Sequence, residues 1–304
     1  MHFGRVQDDR GLDLALPEPR PRTLGFLKLN HQGRGLIRCG APVWVCKEWL
    51  GTVYPETARP SEYLSAYAQH YNCVEYNGSF YHLPAAHQVE GWVNQVPAGF
   101  SFCPKVPQDL SHKMHQGLDR ELLQRFLRVC EWFDDHLGLC FMQLPDWFAP
   151  THFPALKLFI EAWGNALPLA IEFRHPDWFR DHMLADPVIN LLFKANIATV
   201  ITDSPGRRDV VHMSLTQPKL MVRFLGCFPS RRDDQRVRAW MDRLSEWAAA
   251  GMDEIYFFAH QERHGAIPQT VDFALRYLYE KNYFKMKEAE TPSYGAIAPV
   301  QPDL

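Results

Sequence analysis

The fold this sequence predicts is a single-domain (β/α)8 barrel of the TIM type. Three observations carry the prediction. Eight short apolar runs recur between residues 37 and 261, helical patterns fall between them, and polar residues recur late in the runs on one alternating face. Alternating strands and helices read as parallel βα units, and eight such units close a barrel. An open doubly wound sheet is the alternative. It usually carries a glycine-rich phosphate loop after an early strand, and no G-x-G-x-x-G or Walker pattern is present.

The elements follow in chain order. Residues 1–35 are polar and rich in Arg, Pro and Gly, and read as an extension. The strand candidates are IRCGAPV (37–43), CVEYNGSF (73–80), FSFCPKV (100–106), LGLCFMQLP (137–145), PLAIEFRH (168–175), IATVITD (197–203), LMVRFLG (220–226) and EIYFFAHQ (254–261). Most are rich in β-branched or aromatic residues and end at Gly, Pro or Asp. Helical spacing marks 59–71, with Ser61 as its cap candidate, then 119–137, 153–167 and 234–251, the last stopped by Gly251. Residues 36–285 form the barrel domain, and 286–304 read as a loose tail.

Composition narrows the function classes. The chain has 304 residues, is 46% hydrophobic and carries a net charge of -3, so bulk charge gives no argument for nucleic acid or an anionic membrane. No apolar run approaches the ~18 residues of a membrane span, and the N-terminus lacks the apolar core of a secretory signal. The expectation is a cytoplasmic protein with no membrane partner. The seven cysteines are scattered without a C-x-x-C pair and read as small core residues.

Alternation locates the candidate site. In the fifth run Leu169, Ile171 and Phe173 point one way, and Ala170, Glu172 and Arg174 the other. The apolar set would face the surrounding helices and the second set the barrel interior. On the same argument Glu75 and Asn77, Lys105, Gln143, Asp203, Arg223 and His260 face inward from other runs, each late in its strand. Active sites of such barrels lie at that C-terminal mouth. Buried charges are costly unless paired, so a purely structural ion-pair network is the competing reading.

The segments Glu75-Tyr76-Asn77-Gly78-Ser79-Phe80-Tyr81, Lys105, His112, Gln143-Leu144-Pro145, Glu172-Phe173-Arg174-His175-Pro176-Asp177-Trp178 and Arg223 before Gly226 occur together. On these the chain resembles the domain-of-unknown-function family 72, the YecE-like family, over about residues 37–283. The resemblance implies a (β/α)8-type barrel and supplies no reaction. Two departures sit at the mouth. Ala41-Pro42-Val43 stands where the family typically has a small polar run, and Ala259-His260-Gln261 where many members carry an asparagine pair.

The catalytic candidates are Glu172, Glu75 and His260. The ligand-binding candidates are Lys105, Arg174, Arg223, Asn77, Tyr81, His112, Gln143, His175 and Asp203. Cations of this kind suit phosphate or carboxylate, so the leading expectation is an enzyme acting by acid–base chemistry on an anionic small-molecule ligand, phosphorylated or sugar-like. Glu172 would be the acid/base, with Lys105 and Arg223 as anion clamps. Arg174 beside Glu172 would lower its pKa, which makes a fixed charge the alternative role, with Glu75 or His260 as base. Residues 203–243 carry nine Lys or Arg against five Asp or Glu, including Arg207-Arg208 and Arg231-Arg232. These pairs read as a phosphate site or as a solvated basic face.

Two other classes compete. A metal-dependent phosphodiesterase acting on nucleic acid would draw ligands from Glu172, His175, Asp203, His212 and His260, although no H-E-x-x-H helix is present. A binding protein without turnover would use the same mouth. Trp44, Trp49, Tyr81 and Trp178 are candidate walls. No pattern names a cofactor.

Overall fold

In the computed structural model, residues 3–4, 6, 9–29, 33–227 and 231–281 are described. Eight strands form one sheet, β1 (Leu36–Ala41), β2 (Cys73–Tyr76), β3 (Ser101–Pro104), β4 (Cys140–Gln143), β5 (Leu169–Glu172), β6 (Ala198–Asp203), β7 (Lys219–Leu225) and β8 (Glu254–His260). Their order is β3-β2-β1-β8-β7-β6-β5-β4, with every adjacent pair parallel. Parallel bridges Phe102–Leu137 and Lys105–Phe141 join the two outer strands, and Val106 N donates to Phe141 O at 2.8 Å. The sheet is thereby closed into a barrel. The strands lie within the expected runs, except that β1 and β7 each begin one residue earlier, at Leu36 and Lys219.

Helices cover its outside: α1 (Pro21–Leu29), α2 (Tyr63–His70), α3 (Ala86–Val93), α4 (Gln108–His112), α5 (Arg120–Glu131), α6 (Phe153–Trp163), α7 (Asp186–Lys194), α8 (Arg231–Ala249) and α9 (Ile267–Glu280). Helix α5 shows why they form. Asp119 accepts from Leu122 N at 2.9 Å at its start, and the buried Leu123, Phe126, Leu127 and Cys130 recur at one-face spacing. Helix α6 repeats the pattern with Leu156, Phe159, Ile160 and Trp163 and ends at Gly164, whose φ of 60° suits glycine. Ser61 is not a cap. Pro60 opens a 3-10 turn one residue earlier, so Ser61 is already inside it, and Glu62 Oε2 accepts from Arg59 N at 2.7 Å.

Two apolar layers result. Leu169, Ile171 and Phe173 pack outward among residues of α5, α6 and α7, while Ala170 joins Cys103, Phe141, Val200, Met221 and Phe258 in the lumen. At the N-terminal end, Glu254 accepts from Arg38 at 2.7 Å and Lys219 at 3.3 Å and closes the barrel floor. Residues 9–29 lie against α7, α8 and the segment 208–213 between β6 and β7. Arg232 donates to Asp9 O and to Leu12 O (2.6 Å), Arg208 to Ala15 O (2.8 Å), Arg243 to Pro17 O (2.9 Å), and Thr23 Oγ1 of α1 to Met213 O (2.6 Å). The tail expected over 286–304 lies outside the described residues.

Candidate active site at the barrel mouth

The inner ends of β2, β5 and β7 place two glutamates on either side of one arginine. Arg223 donates from Nε and Nη2 to Glu75 at 2.9 and 2.8 Å, and from Nη1 to Glu172 at 2.6 Å. All three are fully buried. Arg174, just past β5, donates to the other oxygen of Glu172 at 2.5 Å. Glu75 also accepts from Asn77 at 2.8 Å, and His260 Nε2 lies 3.0 Å from it. With the carboxylate ionised, that ring nitrogen is the donor. Gln143 Oε1 accepts from Lys105 Nζ at 3.1 Å and faces Arg223 Nη1 at 3.4 Å. Eight of the expected residues, Glu75, Asn77, Lys105, Gln143, Glu172, Arg174, Arg223 and His260, thus form one network.

The electrostatics divide these groups by role. Burial alone would raise both carboxyls, but Arg223 and His260 hold Glu75 well below the carboxylate range, and Arg174 and Arg223 bring Glu172 down to about 2. Both are therefore ionised at neutral pH. Arg223 is the pin between them. It is enclosed, so the expected role of anion clamp does not fit it. Burial lowers His260 despite its glutamate partner, leaving a neutral imidazole. Lys105 behaves differently from the arginines. Burial and the Arg223 guanidinium push its pKa down to about 7. Its amine sits 4.1 Å above the centre of the Phe80 ring.

Four expected residues lie elsewhere. Asp203 points out of the barrel, where it accepts from Arg208, from Arg236 (2.8 Å) and from Trp240 Nε1 (2.7 Å) of α8. Its strand presents Val200 to the lumen and Ile201 to the outer core, and Asp203 shares the face of Ile201. His175 Nδ1 accepts from Asp177 N at 3.2 Å and caps the turn Pro176–Trp178. His112 is one shell out, its ring 5.4 Å from Phe80 and its Nδ1 2.9 Å from Ser111 Oγ; burial lowers its pKa to about 4. Tyr81 is 70% exposed and touches the site only through Phe80, at 5.0 Å. Trp49 and Trp178 are core residues, and Trp44 packs on Tyr76 and Trp92.

The donors considered for a metal are dispersed. Asp203 is held by Arg236 and Trp240 of α8, and His212 bonds Val200 O and Ser214 N. Among the described residues no group of three or more His, Cys, Asp or Glu is placed to hold an ion. Three members of the basic pairs are also committed, and the Arg231 side chain lies outside what is described. Arg207 pairs with Asp209 at 2.8 Å, Arg208 with Asp203, and Arg232 with the N-terminal segment.

Three features of the mouth escaped the reading of the sequence. Phe80 and Phe141 line the cations Lys105 and Arg223 with aromatic rings. Phe3 lies between the Arg174 and Arg207 guanidiniums at 4.2 and 4.6 Å, with Ser204 Oγ donating to the Phe3 and Gly4 carbonyls. Phe80 stood within the quoted motif, whereas nothing local to residue 3 signals this contact.

Residues 38–293 match the family described as "Protein of unknown function DUF72". The chain belongs to this family. It is 26% identical over 254 residues to the UPF0759 protein YecE of Escherichia coli K12, a match covering 78% of this chain and 90% of that protein. The crystal structures of two DUF72 family proteins superpose on it. The one from Enterococcus faecalis gives a TM-score of 0.64 at 19% identity, covering 82% of this chain and 99% of that one. The one from Thermotoga maritima gives 0.62 at 22% identity, covering 81% and 99%. These DUF72 structures share the barrel fold. No helix among the described residues is long and apolar enough to cross a membrane.

Proposed function

We propose that this DUF72 barrel is an enzyme that binds a small anionic compound, phosphorylated or sugar-like, at its C-terminal mouth and moves a proton there. The observation that carries the reading is the position of Lys105. Among the described residues it is the cation of the mouth with no carboxylate in ion-pair reach, while Arg174 and Arg223 are paired with Glu172 and Glu75. Two carboxylates balance two guanidiniums, which leaves the lysine charge to be met by a ligand anion. Charge-assisted bonds in a buried setting are the strong ones. Asn77 and Gln143 supply amides suited to hydroxyl groups, and Tyr81 supplies an exposed aromatic wall.

The proton carrier under this reading is Lys105, because an acid–base group works best with a pKa near the operating pH. Glu172 and Glu75 are too acidic for that role and act as fixed charges that set the field around the amine. Thermal denaturation against phosphorylated metabolites, sugars, nucleotides and divalent metals tests the reading. A ligand at 100 times its Kd stabilises by about 2.7 kcal/mol. An anion that stabilises the wild type and fails on Lys105→Met supports the reading. Stabilisation by a metal alone, or an anion that binds Lys105→Met equally well, refutes it. Turnover of the bound compound separates an enzyme from a binding protein.

A further inference from the structure

Lys105 lies just past β3 with its side chain turned into the mouth, and its surroundings weaken the ammonium in favour of the neutral amine. It donates a hydrogen bond to a neutral acceptor, Gln143 Oε1, at 3.1 Å, and Arg223 Nη1 faces the same oxygen. Only 7% of the residue is exposed, and burial disfavours the charged form. The charged groups around it are Glu75 on β2, Glu172 and Arg174 at the end of β5, and Arg223 on β7, with His112 of α4 across Phe80. The arginines consume the two carboxylates that would otherwise hold an ammonium. The same conclusion follows from its lowered pKa of about 7. Such an amine is about half neutral at pH 7, against roughly one part in a thousand for an ordinary lysine. A desolvated lysine beside another cation is the usual arrangement of an amine nucleophile.

Resting on the reading of the mouth as an anion site, we propose that Lys105 forms a Schiff base with its substrate, and that the substrate is a small phosphorylated or carboxylated aldehyde or ketone. The neutral Nζ attacks the carbonyl carbon. An N–C bond forms, the π pair moves to oxygen, and that oxygen takes up the proton released by nitrogen. The carbinolamine then loses its hydroxyl with one further proton as water, the C–O bond breaks, and the nitrogen lone pair forms C=N. The balance is amine plus carbonyl plus proton giving protonated imine plus water, with no change of oxidation state. The imine carries a positive charge in the field of Glu75 and Glu172 and withdraws electrons from the adjacent carbon. Gln143 is a positioning residue, since its oxygen accepts an N–H of Lys105 and fixes where the amine sits.

The test is reductive trapping. The full chain is incubated at pH 7 with dihydroxyacetone phosphate, with pyruvate or with formaldehyde, each with sodium cyanoborohydride, and peptides are mapped by mass. The reduced adduct of either larger probe adds its mass less one oxygen. The expected result is modification of Lys105 at least tenfold faster than any exposed lysine, absent in Lys105→Met and in Lys105→Arg, both checked for native circular dichroism. Formaldehyde needs no recognition, so it decides the case for the amine itself. Lys105 modified no faster than surface lysines by all three probes overturns the proposal. If the phosphate or carboxylate probe still raises the melting temperature without reductant, the anion site stands and only the Schiff base fails. Rapid labelling of Lys105 by formaldehyde alone, with no stabilisation by any anion, supports the nucleophile and removes the anion reading on which its substrate class rests.

Discussion

Replacing Arg223 by methionine keeps most of the aliphatic stem and deletes the guanidinium that four hydrogen bonds tie to Glu75, Glu172 and Gln143. The two glutamates are then buried with part of their compensation gone. Arg174 still holds one oxygen of Glu172, and Asn77 and His260 still reach Glu75. Removing one partner of a buried pair costs about 3–5 kcal/mol, and that is the loss expected at pH 7. At about 2–4 °C per kcal/mol for a domain of this kind, the melting temperature falls by roughly 10 °C. The sign of the pH dependence is a second check. In the wild type both glutamates have depressed pKa values, so their contribution is present above the unfolded value of about 4.3 and is lost as pH falls through the folded values. In the variant, burial without Arg223 raises them, so the native state regains stability as pH falls toward 4.5. Urea denaturation followed by circular dichroism at pH 7 and pH 4.5 should show a wide gap that narrows on acidification. A loss under ~1 kcal/mol at pH 7, or a gap independent of pH, would refute the reasoning. Converting Glu75 and Glu172 to glutamine in the same chain should recover most of the loss, because neutral groups need no counter-charge.

Other perturbations follow from the same geometry. Lys105→Met should be more stable than the wild type by about 4 kcal/mol at pH 6, since each unit of lowered pKa is worth ~1.4 kcal/mol and the hydrogen bond lost to Gln143 offsets about 1 kcal/mol. The penalty of burying the lysine is full below its folded pKa of about 7 and disappears as pH rises to the unfolded value near 10.4, so urea midpoints of the two proteins should converge near pH 10. Asp203→Ala should cost about 1–3 kcal/mol by removing one of the two carboxylates that hold Arg236, the other being Asp233 at 3.0 Å, yet leave ligand-induced stabilisation unchanged, because Asp203 faces α8 rather than the mouth. Phe3→Ala should cost about 1 kcal/mol of cation–π contact and speed labelling of Arg174 by phenylglyoxal, read by peptide mass.

Strand β5 was legible because its two faces differ in kind. Leu169, Ile171 and Phe173 can only pack among helices, and Glu172 with Arg174 can only sit where charges meet partners. Strand β6 was not. It is buried on both faces from Ala198 to Asp203, so alternation has no polar side to choose its phase, and a choice wrong by one residue sends every side chain to the opposite face. Asp203 was assigned to the lumen for that reason. His175 lies beyond the last strand residue, where alternation no longer holds and a histidine can bond its own turn. The pairing of Arg223 with Glu75 and Glu172 joins residues 148 and 51 positions apart. Alternation places each on the inner face, but only the barrel register shows that one arginine consumes both acids and leaves Lys105 without a counter-ion.

That unpaired amine is the centre of the account, and its titration can be observed directly. Carbon-13 spectra of the chain labelled at lysine Cε, assigned by comparison with Lys105→Arg, should contain one resonance that titrates with a midpoint near 7 while the surface lysines titrate near ~10.4. A Lys105 resonance that titrates with the surface lysines would contradict the assignment of the site.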